Sequence, residues 1–195
     1  MRFLAVLIIY TLLGQYLAEE EKLLRQWQRF ANSSESTKVL LWLRCQAKEK
    51  FSPDKCRELQ VPLPAFYGKL GLFVTIQENY RVRGCFGAFF HKTENPYQVL
   101  REYLRGALRE DLRHTPFDIS RLPEAKIVIT IATQPHGIRN VDDIVPARQG
   151  VILSSPTGQH FIYVPAEIRD TNYIKAIIRK HRIVDIKTFK AVSIR

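Results

Sequence analysis

The stretch of sequence that best defines the fold is Arg81-Val82-Arg83-Gly84-Cys85-Phe86-Gly87. It is predicted to lie on a β-strand, in which successive side chains point to opposite faces. At this period of two, Arg81, Arg83 and Cys85 share one face of the strand. Gly84 and Gly87 have no Cβ, which allows a ligand or another backbone to approach closely, or the strand to bulge.

This face is predicted to bring two guanidinium groups beside one thiol. Positive charge near a cysteine lowers the pKa of the thiol and favours the thiolate, which is the nucleophile. Cys85 is therefore a candidate catalytic nucleophile, and Arg83, Gly84, Gly87 and Arg81 are candidate ligand-binding residues. The alternative is a packed strand in which Cys85 is a small buried apolar side chain and the arginines reach solvent.

Strand and helix patterns alternate along the rest of the chain. Strands are predicted at 72–76, 80–90, 126–133, 151–153, 161–164 and 187–194, and helices at 19–31, 37–51, 95–112 and 172–182. Thr37 and Asn95 are the predicted N-caps of two of the helices. Strand pairs are separated by helices, without strand–helix–strand crossovers. This order predicts an α+β fold, with a mainly antiparallel sheet and flanking helices, preceded by an N-terminal hydrophobic segment.

The composition sets limits on the class of protein. The chain has 195 residues, of which 46% are hydrophobic and 25% charged, so it can bury a core and is expected to form one principal domain. Disordered, collagen-like and multi-spanning membrane proteins are excluded. Lys and Arg number 30 against 19 Asp and Glu, a net charge of +11. This excess indicates an anionic ligand, or a partner such as nucleic acid, a lipid surface or an acidic protein.

The N-terminus has the order of a secretory signal. Arg2 precedes an apolar run at 3–13, and the acidic residues 19–21 follow. Tyr16 occupies a position where a cleavage site needs a small side chain, so an uncleaved anchor that associates with a membrane through residues 3–17 is an alternative, as is a buried helix. We therefore assign 1–18 to a signal peptide or membrane anchor, 19–36 to a helical or polar linker and 37–195 to the domain. A signal would make the protein exported or membrane-anchored, and otherwise it is cytoplasmic.

The three cysteines allow two arrangements. Export would place the thiols in an oxidising compartment, where Cys45 and Cys56 can pair and leave Cys85 as the odd thiol. The alternative is that Cys45 and Cys56 are unpaired and partly buried.

The C-terminal end is strongly basic. From Arg169 to Arg195 there are eight Lys or Arg against two Asp, a net charge of +6. Such a patch can bind nucleic acid or an anionic membrane. The five histidines show no metal-ligand spacing, and the chain has no phosphate loop or dinucleotide fingerprint. We therefore predict no metal site and identify no cofactor.

The string at 83–87, preceded by Leu72-Phe73-Val74-Thr75, resembles the hallmark of the AMMECR domain family. In that family a Phe-Val-Thr strand leads to an Arg-Gly-Cys-Ile-Gly strand. Further similarities follow in the same order, at 100–103, at 111–116 where an Asp-x-Arg precedes a Pro, at 150–153, at 163–165 and at 178–180. The resemblance covers about 37–195. Phe86 replaces the usual Ile, and Pro165-Ala166-Glu167 replaces a Pro-Gln-Val, so the chain resembles a divergent member.

The resemblance implies an α+β fold and a biochemical activity that is unsettled in the family. It also implies Memo-like or radical-SAM proteins as partners, since family members are found alongside them or fused to them. We therefore predict a small-molecule-binding or modification-associated protein with its pocket around the Arg-Gly-Cys-Phe-Gly strand, and leave open whether it is an enzyme. The alternative is a basic adaptor that binds nucleic acid or an anionic membrane through its C-terminal patch.

Overall fold

The computed structural model describes residues 2–51, 56 and 61–195, with the side chains of the first helix described at residues 14, 15 and from 17 onward. The helices in this part of the chain are α1 (Arg2–Ala31), α2 (Ser34–Lys48), α3 (Pro96–Arg109) and α4 (Thr171–His181). The strands are β1 (Gly71–Glu78), β2 (Arg81–Ala88), β3 (Lys126–Ala132), β4 (His136–Gly137), β5 (Gln149–Ser154), β6 (His160–Tyr163) and β7 (Asp185–Ile194). Short 3-10 helices lie at Ile119–Arg121 and Val141–Asp143.

The strands form one curled sheet in the order β2-β1-β3-β7-β5-β6, and β4 pairs with β7. Every pairing is antiparallel, which confirms the α+β fold with an antiparallel sheet. The strands predicted at 151–153 and 161–164 pair as the β5–β6 hairpin. Asn79 and Tyr80 form the two-residue turn between β1 and β2, both with left-handed φ values, 49° and 60°. Positive φ at both central residues is typical of a type I′ turn.

Helices cover one face of the sheet. Leu43 of α2 and Leu104 of α3 pack with Val74 of β1 in the main hydrophobic core, together with Trp27 of α1. The opposite face carries a smaller core of Phe73, Phe89, Ala132, Val164 and Phe189. Alternate residues of β1 thus enter two different cores. This strand is the centre of the fold, because it is buried on both faces.

α1 packs on the domain through its C-terminal half. The indole N–H of Trp27 donates to the carbonyl oxygen of Ala65 at 3.0 Å, and Glu19 pairs with Lys69 at 3.1 Å. The predicted helix at 19–31 is confirmed, since α1 includes these residues. Among the described residues, no helix combines the length and the apolar character that a membrane crossing requires. The side chains at 3–13 lie outside the described part of the chain, so the signal or anchor stays a prediction.

Three helix boundaries differ from the sequence expectation by about one turn, the start and the end of α2 and the end of α3. α2 begins at Ser34 after an extended N-cap at Ser33, so the predicted start at Thr37 was wrong by one turn. The hydroxyl of Ser36 donates to the carbonyl oxygen of Ser33 at 2.7 Å, so the last residues of the predicted linker at 19–36 belong to the helix. α3 does begin after Asn95, whose side chain accepts two backbone N–H groups, but it ends at Arg109. Leu112 is fully exposed and does not belong to its core face.

A disulfide joins Cys45 near the end of α2 to Cys56, with their Cα atoms 5.9 Å apart. This confirms the paired arrangement of the two alternatives. Within the described residues, Cys85 carries the free thiol. A disulfide removes conformational freedom from the unfolded chain and so favours the folded state.

The contact between β2 and α3 depends on Gly84, and we predict that Gly84→Ala lowers the free energy of unfolding by about 1–3 kcal/mol. A Cβ at this position would lie 1.9 Å from the carbonyl oxygen of Ala107, so α3 would have to move. Gly137→Ala is the control, because a Cβ there meets no atom within 4 Å. Urea unfolding of both variants measures the effect, and equal stabilities would contradict the tight contact.

Candidate functional site

A cleft of about 590 Å³ lies between β2 and β6, the two edge strands of the curled sheet. We call it the thiol cleft. Its lining combines Cys85, Phe86 and Gly87 of β2, His160, Phe161 and Ile162 of β6, residues 110–113 of the loop after α3, and Phe73 and Gln159. The two edges of the sheet thus face each other across a space that opens to solvent.

The ion pair of Asp111 and Arg113 bridges the two edges. Asp111 accepts the backbone N–H of Cys85 at 2.8 Å, while Arg113 Nη1 donates to the carbonyl oxygen of Ile162 at 3.3 Å. Arg113 also donates to both carboxylate oxygens of Asp111, at 3.0 and 2.9 Å. Edge strands leave such backbone groups without a partner strand. Here a bidentate ion pair provides hydrogen-bond partners for two such backbone groups, the N–H of Cys85 on one side of the cleft and the carbonyl of Ile162 on the other.

Glu167 holds the same guanidinium from the other side. Its Oε1 lies 3.0 Å from Arg113 Nη1, and its Oε2 accepts the backbone N–H of Val164 at 3.0 Å. Burial raises the pKa of Glu167 to about 7, although Arg113 acts in the opposite direction. Burial also opposes ionisation of Asp111, but the hydrogen bonds from Arg113 and Cys85 outweigh it and lower the pKa of Asp111. Near neutral pH, Asp111 is the ionised partner and Glu167 can gain or lose a proton.

The thiol of Cys85 is held in the protonated form. It accepts a hydrogen bond from the hydroxyl of Thr75, with oxygen and sulfur 3.3 Å apart. Burial raises the pKa of Cys85 well above its ordinary value, the charge of Glu167 adds to this effect, and Arg113 offsets it only in part. A nucleophilic role for Cys85 stays a prediction, and the protein environment works against it in the absence of a ligand.

The expected common face of Arg81, Arg83 and Cys85 was wrong. A bulge shifts the β1–β2 register, so that Cys85 lies opposite Thr75 while Arg81 lies opposite Glu78. Thr75 and Glu78 are three positions apart on β1 and so point to opposite faces. A shift of one residue moves every later side chain to the other face of a strand.

Arg83 contacts Glu78, a fully buried carboxylate of β1. Its Nε and Nη2 lie 3.0 and 2.9 Å from Glu78 Oε2, which Arg121 also contacts. The charge of Arg83 is therefore directed at Glu78, on the face away from the thiol. Two arginines on one buried carboxylate compensate the cost of removing that charge from water.

The other predicted residues are divided between different environments. Gly84 lies against α3, whereas Gly87 lines the thiol cleft and also lies against β1, where a Cβ would be 2.3 Å from the carbonyl oxygen of Leu72. Arg81 lines a neighbouring cleft. The structure thus brings Cys85 and Gly87 together in one cleft and places Arg81, Arg83 and Gly84 outside it.

Sequence reasoning missed Asp111, Arg113, Glu167 and Phe161 as site residues. Asp111 and Arg113 belong to the Asp-x-Arg string of the resemblance, which was the available signal. Glu167 stands where the sequence departs from the family pattern. Phe161 was identified only as part of the strand predicted at 161–164. In the described ranges, no group of three or more His, Cys, Asp or Glu side chains is arranged to hold a metal ion.

The basic C-terminal patch is partly neutralised. Lys175 pairs with Asp142 at 2.6 Å, Lys187 lies 3.9 Å from Asp185, and Lys190 pairs with Glu21 of α1. These carboxylates reduce the charge that the patch can offer to a polyanion, and the adaptor role stays a prediction.

Comparisons with known proteins agree with the resemblance. The AMMECR1 family model matches residues 41–193. The chain is 29% identical over 99 residues to a protein of Methanococcoides burtonii (50% of this chain, 49% of that protein) and 27% identical over 94 residues to a protein of Thermotoga maritima (48% and 54%). It spans about half the length of these curated relatives. The crystal structure of an uncharacterized Pyrococcus horikoshii protein shares the fold, with a TM-score of 0.57 and 17% identity over 80% of this chain and 87% of that one.

We predict that Glu167 makes the protein less stable as the pH rises. Its pKa is about 7 in the folded state against an ordinary value of 4.5, so between these values the folded protein holds a proton that the unfolded chain has lost. The free energy of unfolding therefore falls with rising pH across this window. Glu167→Gln should remove that fall, measured by urea unfolding between about pH 5 and pH 8. Glu124→Gln, at an exposed carboxylate, is the control, and parallel curves for Glu167→Gln and wild type would contradict the prediction.

We also predict that Arg83→Ala does not slow alkylation of Cys85 by iodoacetamide, because Arg83 contacts Glu78 on the opposite face. The variant should instead lower stability, since among the described residues Glu78 then keeps Arg121 alone as its ion-pair partner. Thr75→Val is the comparison, because loss of its hydrogen bond to the sulfur removes a contact that lowers the pKa of the thiol and should slow the reaction. Slower alkylation in Arg83→Ala, followed by mass spectrometry, would show that Arg83 does act on the thiol.

Proposed function

This chain belongs to the AMMECR1 family, and on that premise we propose that it binds a small molecule in the thiol cleft around the Arg-Gly-Cys-Phe-Gly strand. The observation that carries the proposal is the Asp111–Arg113 bridge, which links two sheet edges beside a space of about 590 Å³. Small-molecule sites are concave, mostly apolar and of similar volume, with a few polar groups that orient the ligand.

The lining favours a ligand with an apolar body and one hydrogen-bonding group. Phe73, Phe86, Phe161 and Ile162 supply apolar surface, and the exposed side chain of Leu112 stands at the rim. Among the polar groups of the lining, Asp111 binds the backbone N–H of Cys85 and pairs with Arg113. Asp111 and Arg113 are already oriented by each other, so a ligand would meet them with little loss of side-chain freedom.

A modification-associated role follows from the same cleft. Cys85 is the group in it that could be modified covalently, and Glu167 could accept or release a proton nearby because its pKa is about 7. A Memo-like or radical-SAM partner, which the family resemblance suggests, would supply chemistry that these side chains lack. This partnership rests on the resemblance alone.

We predict that indole, a flat apolar probe with one N–H donor, binds in the thiol cleft. In NMR titrations of isotope-labelled protein it should cause saturable shifts at the amides of Cys85, Gly87 and Phe161. Leu112→Ser should weaken binding about fivefold, equivalent to about 1 kcal/mol of lost apolar contact. Leu41→Ser is the matched control, because Leu41 is also exposed but lies on α2.

Two outcomes would decide against the proposal. One is the absence of saturable shifts in the cleft, and the other is an equal loss of affinity in both leucine variants. Tight binding of duplex DNA that weakens steeply with salt, with no response in the cleft, would favour the basic adaptor instead.

A further inference from the structure

A second cleft, of about 430 Å³, lies beside the thiol cleft and shares Arg113 and Phe161 with it. We call it the aromatic cleft. Its walls come from the β1–β2 turn, from β6 and the segment after it, and from α4. The side chains that define it are Tyr80, Arg81, Tyr163, Arg169, Tyr173 and His181.

Aromatic rings from separate elements meet in this cleft. Tyr163 of β6 and Tyr173 of α4 pack edge to face, with ring centroids 6.2 Å apart. Phe161 of β6 lies against His181 of α4, with centroids 4.7 Å apart. Tyr80 reaches the same cleft from the β1–β2 turn. Aromatic faces favour stacking with a planar ring.

The fold does not explain why a tyrosine occupies position 80. It has a φ of 60° at the second position of a type I′ turn, where glycine is preferred and a bulky side chain is strained. Its side chain is 88% exposed, so burial in the core does not compensate the strain. A strained residue kept at a cleft is a basis for inferring function.

The positive charge of the cleft is only partly neutralised. Arg113 is held by Asp111 and Glu167. Arg81 and Arg169 are both exposed, and neither forms an ion pair with any residue that the structure describes. Two guanidinium groups without carboxylate partners that line one cleft are suited to binding a carboxylate or phosphate.

We propose that the aromatic cleft binds a planar aromatic anion, in which a flat ring packs against Tyr80 and Tyr173 and a carboxylate or phosphate pairs with Arg81 and Arg169. This site goes beyond the function proposed above, because it lies on the other side of Arg113 and does not require a ligand in the thiol cleft. The volume suits one ring system with its substituent rather than a polymer.

Calorimetric titration with 2-naphthoate tests the proposal. 2-Naphthoate should bind saturably and about tenfold more tightly than the neutral 2-naphthamide, which lacks the charge, and than cyclohexanecarboxylate, which lacks the planar ring. The affinity of adenosine monophosphate, compared with that of adenosine, tests whether the cleft binds a planar ring that carries a phosphate. The tighter of the two anions identifies which kind of anionic group the cleft accepts.

Variants separate a binding role from a structural one. Arg169→Gln should weaken 2-naphthoate binding about tenfold, whereas Arg139→Gln, at an exposed arginine outside the cleft, should not. Tyr80→Gly should weaken binding while raising the melting temperature, because glycine relieves the strained turn. Tyr80→Phe keeps the ring and should keep the affinity.

The proposal is overturned if 2-naphthoate and 2-naphthamide bind equally, or if Arg169→Gln and Tyr80→Gly both leave the affinity unchanged. Leu112→Ser distinguishes binding in the aromatic cleft from the binding proposed for the thiol cleft. It changes the rim of the thiol cleft only, so it should weaken indole binding and leave 2-naphthoate binding intact.

Discussion

The ion pair between Asp111 and Arg113 is the interaction on which the site depends. The curled sheet ends in two edges, β2 and β6, and each edge presents backbone groups without a partner strand. Asp111 accepts the N–H of Cys85 on one edge, and Arg113 donates to the carbonyl oxygen of Ile162 on the other. Two side chains thus supply the hydrogen-bond partners that a further strand would otherwise provide, and they link the two edges. Arg113 of this bridge lines both the thiol cleft and the aromatic cleft.

Buried carboxylates determine where much of the positive charge lies. Glu78 attracts Arg83 and Arg121, while Glu167 and Asp111 hold Arg113. Leaving such a buried carboxylate without its partner costs about 3–5 kcal/mol of folding stability. The main role of these arginines is therefore to stabilise the fold rather than to bind a ligand. The net charge of +11 therefore overstates the charge that a ligand can meet. Within the described residues around the site, Arg81 and Arg169 are the arginines without a carboxylate partner, and both line the aromatic cleft.

The candidate site was predicted in part. The Arg-Gly-Cys-Phe-Gly string lies on the predicted strand, β2, and Cys85 and Gly87 line a cleft, while their role as site residues stays a prediction. The period of two did not predict the bulge, which moves Arg83 away from the thiol and onto Glu78. Gly84 was identified as a point of close approach, but the approaching group is the backbone of α3 rather than a ligand. Nothing in the local pattern distinguished Glu167 from an ordinary exposed glutamate.

The sequence by itself predicted most of the helices and strands and the antiparallel α+β class, because turn residues, caps and side-chain periodicity act between close neighbours in the chain. The family was indicated by the motif strings at 72–75 and 83–87. Only the tertiary structure decided the site. Cys85 and Asp111 are 26 residues apart, and Arg113 and Ile162 are 49 apart. Such contacts depend on sheet curvature and on the β1–β2 register. A one-residue shift in that register reverses the direction of every side chain beyond it, and no local pattern specifies where the shift occurs.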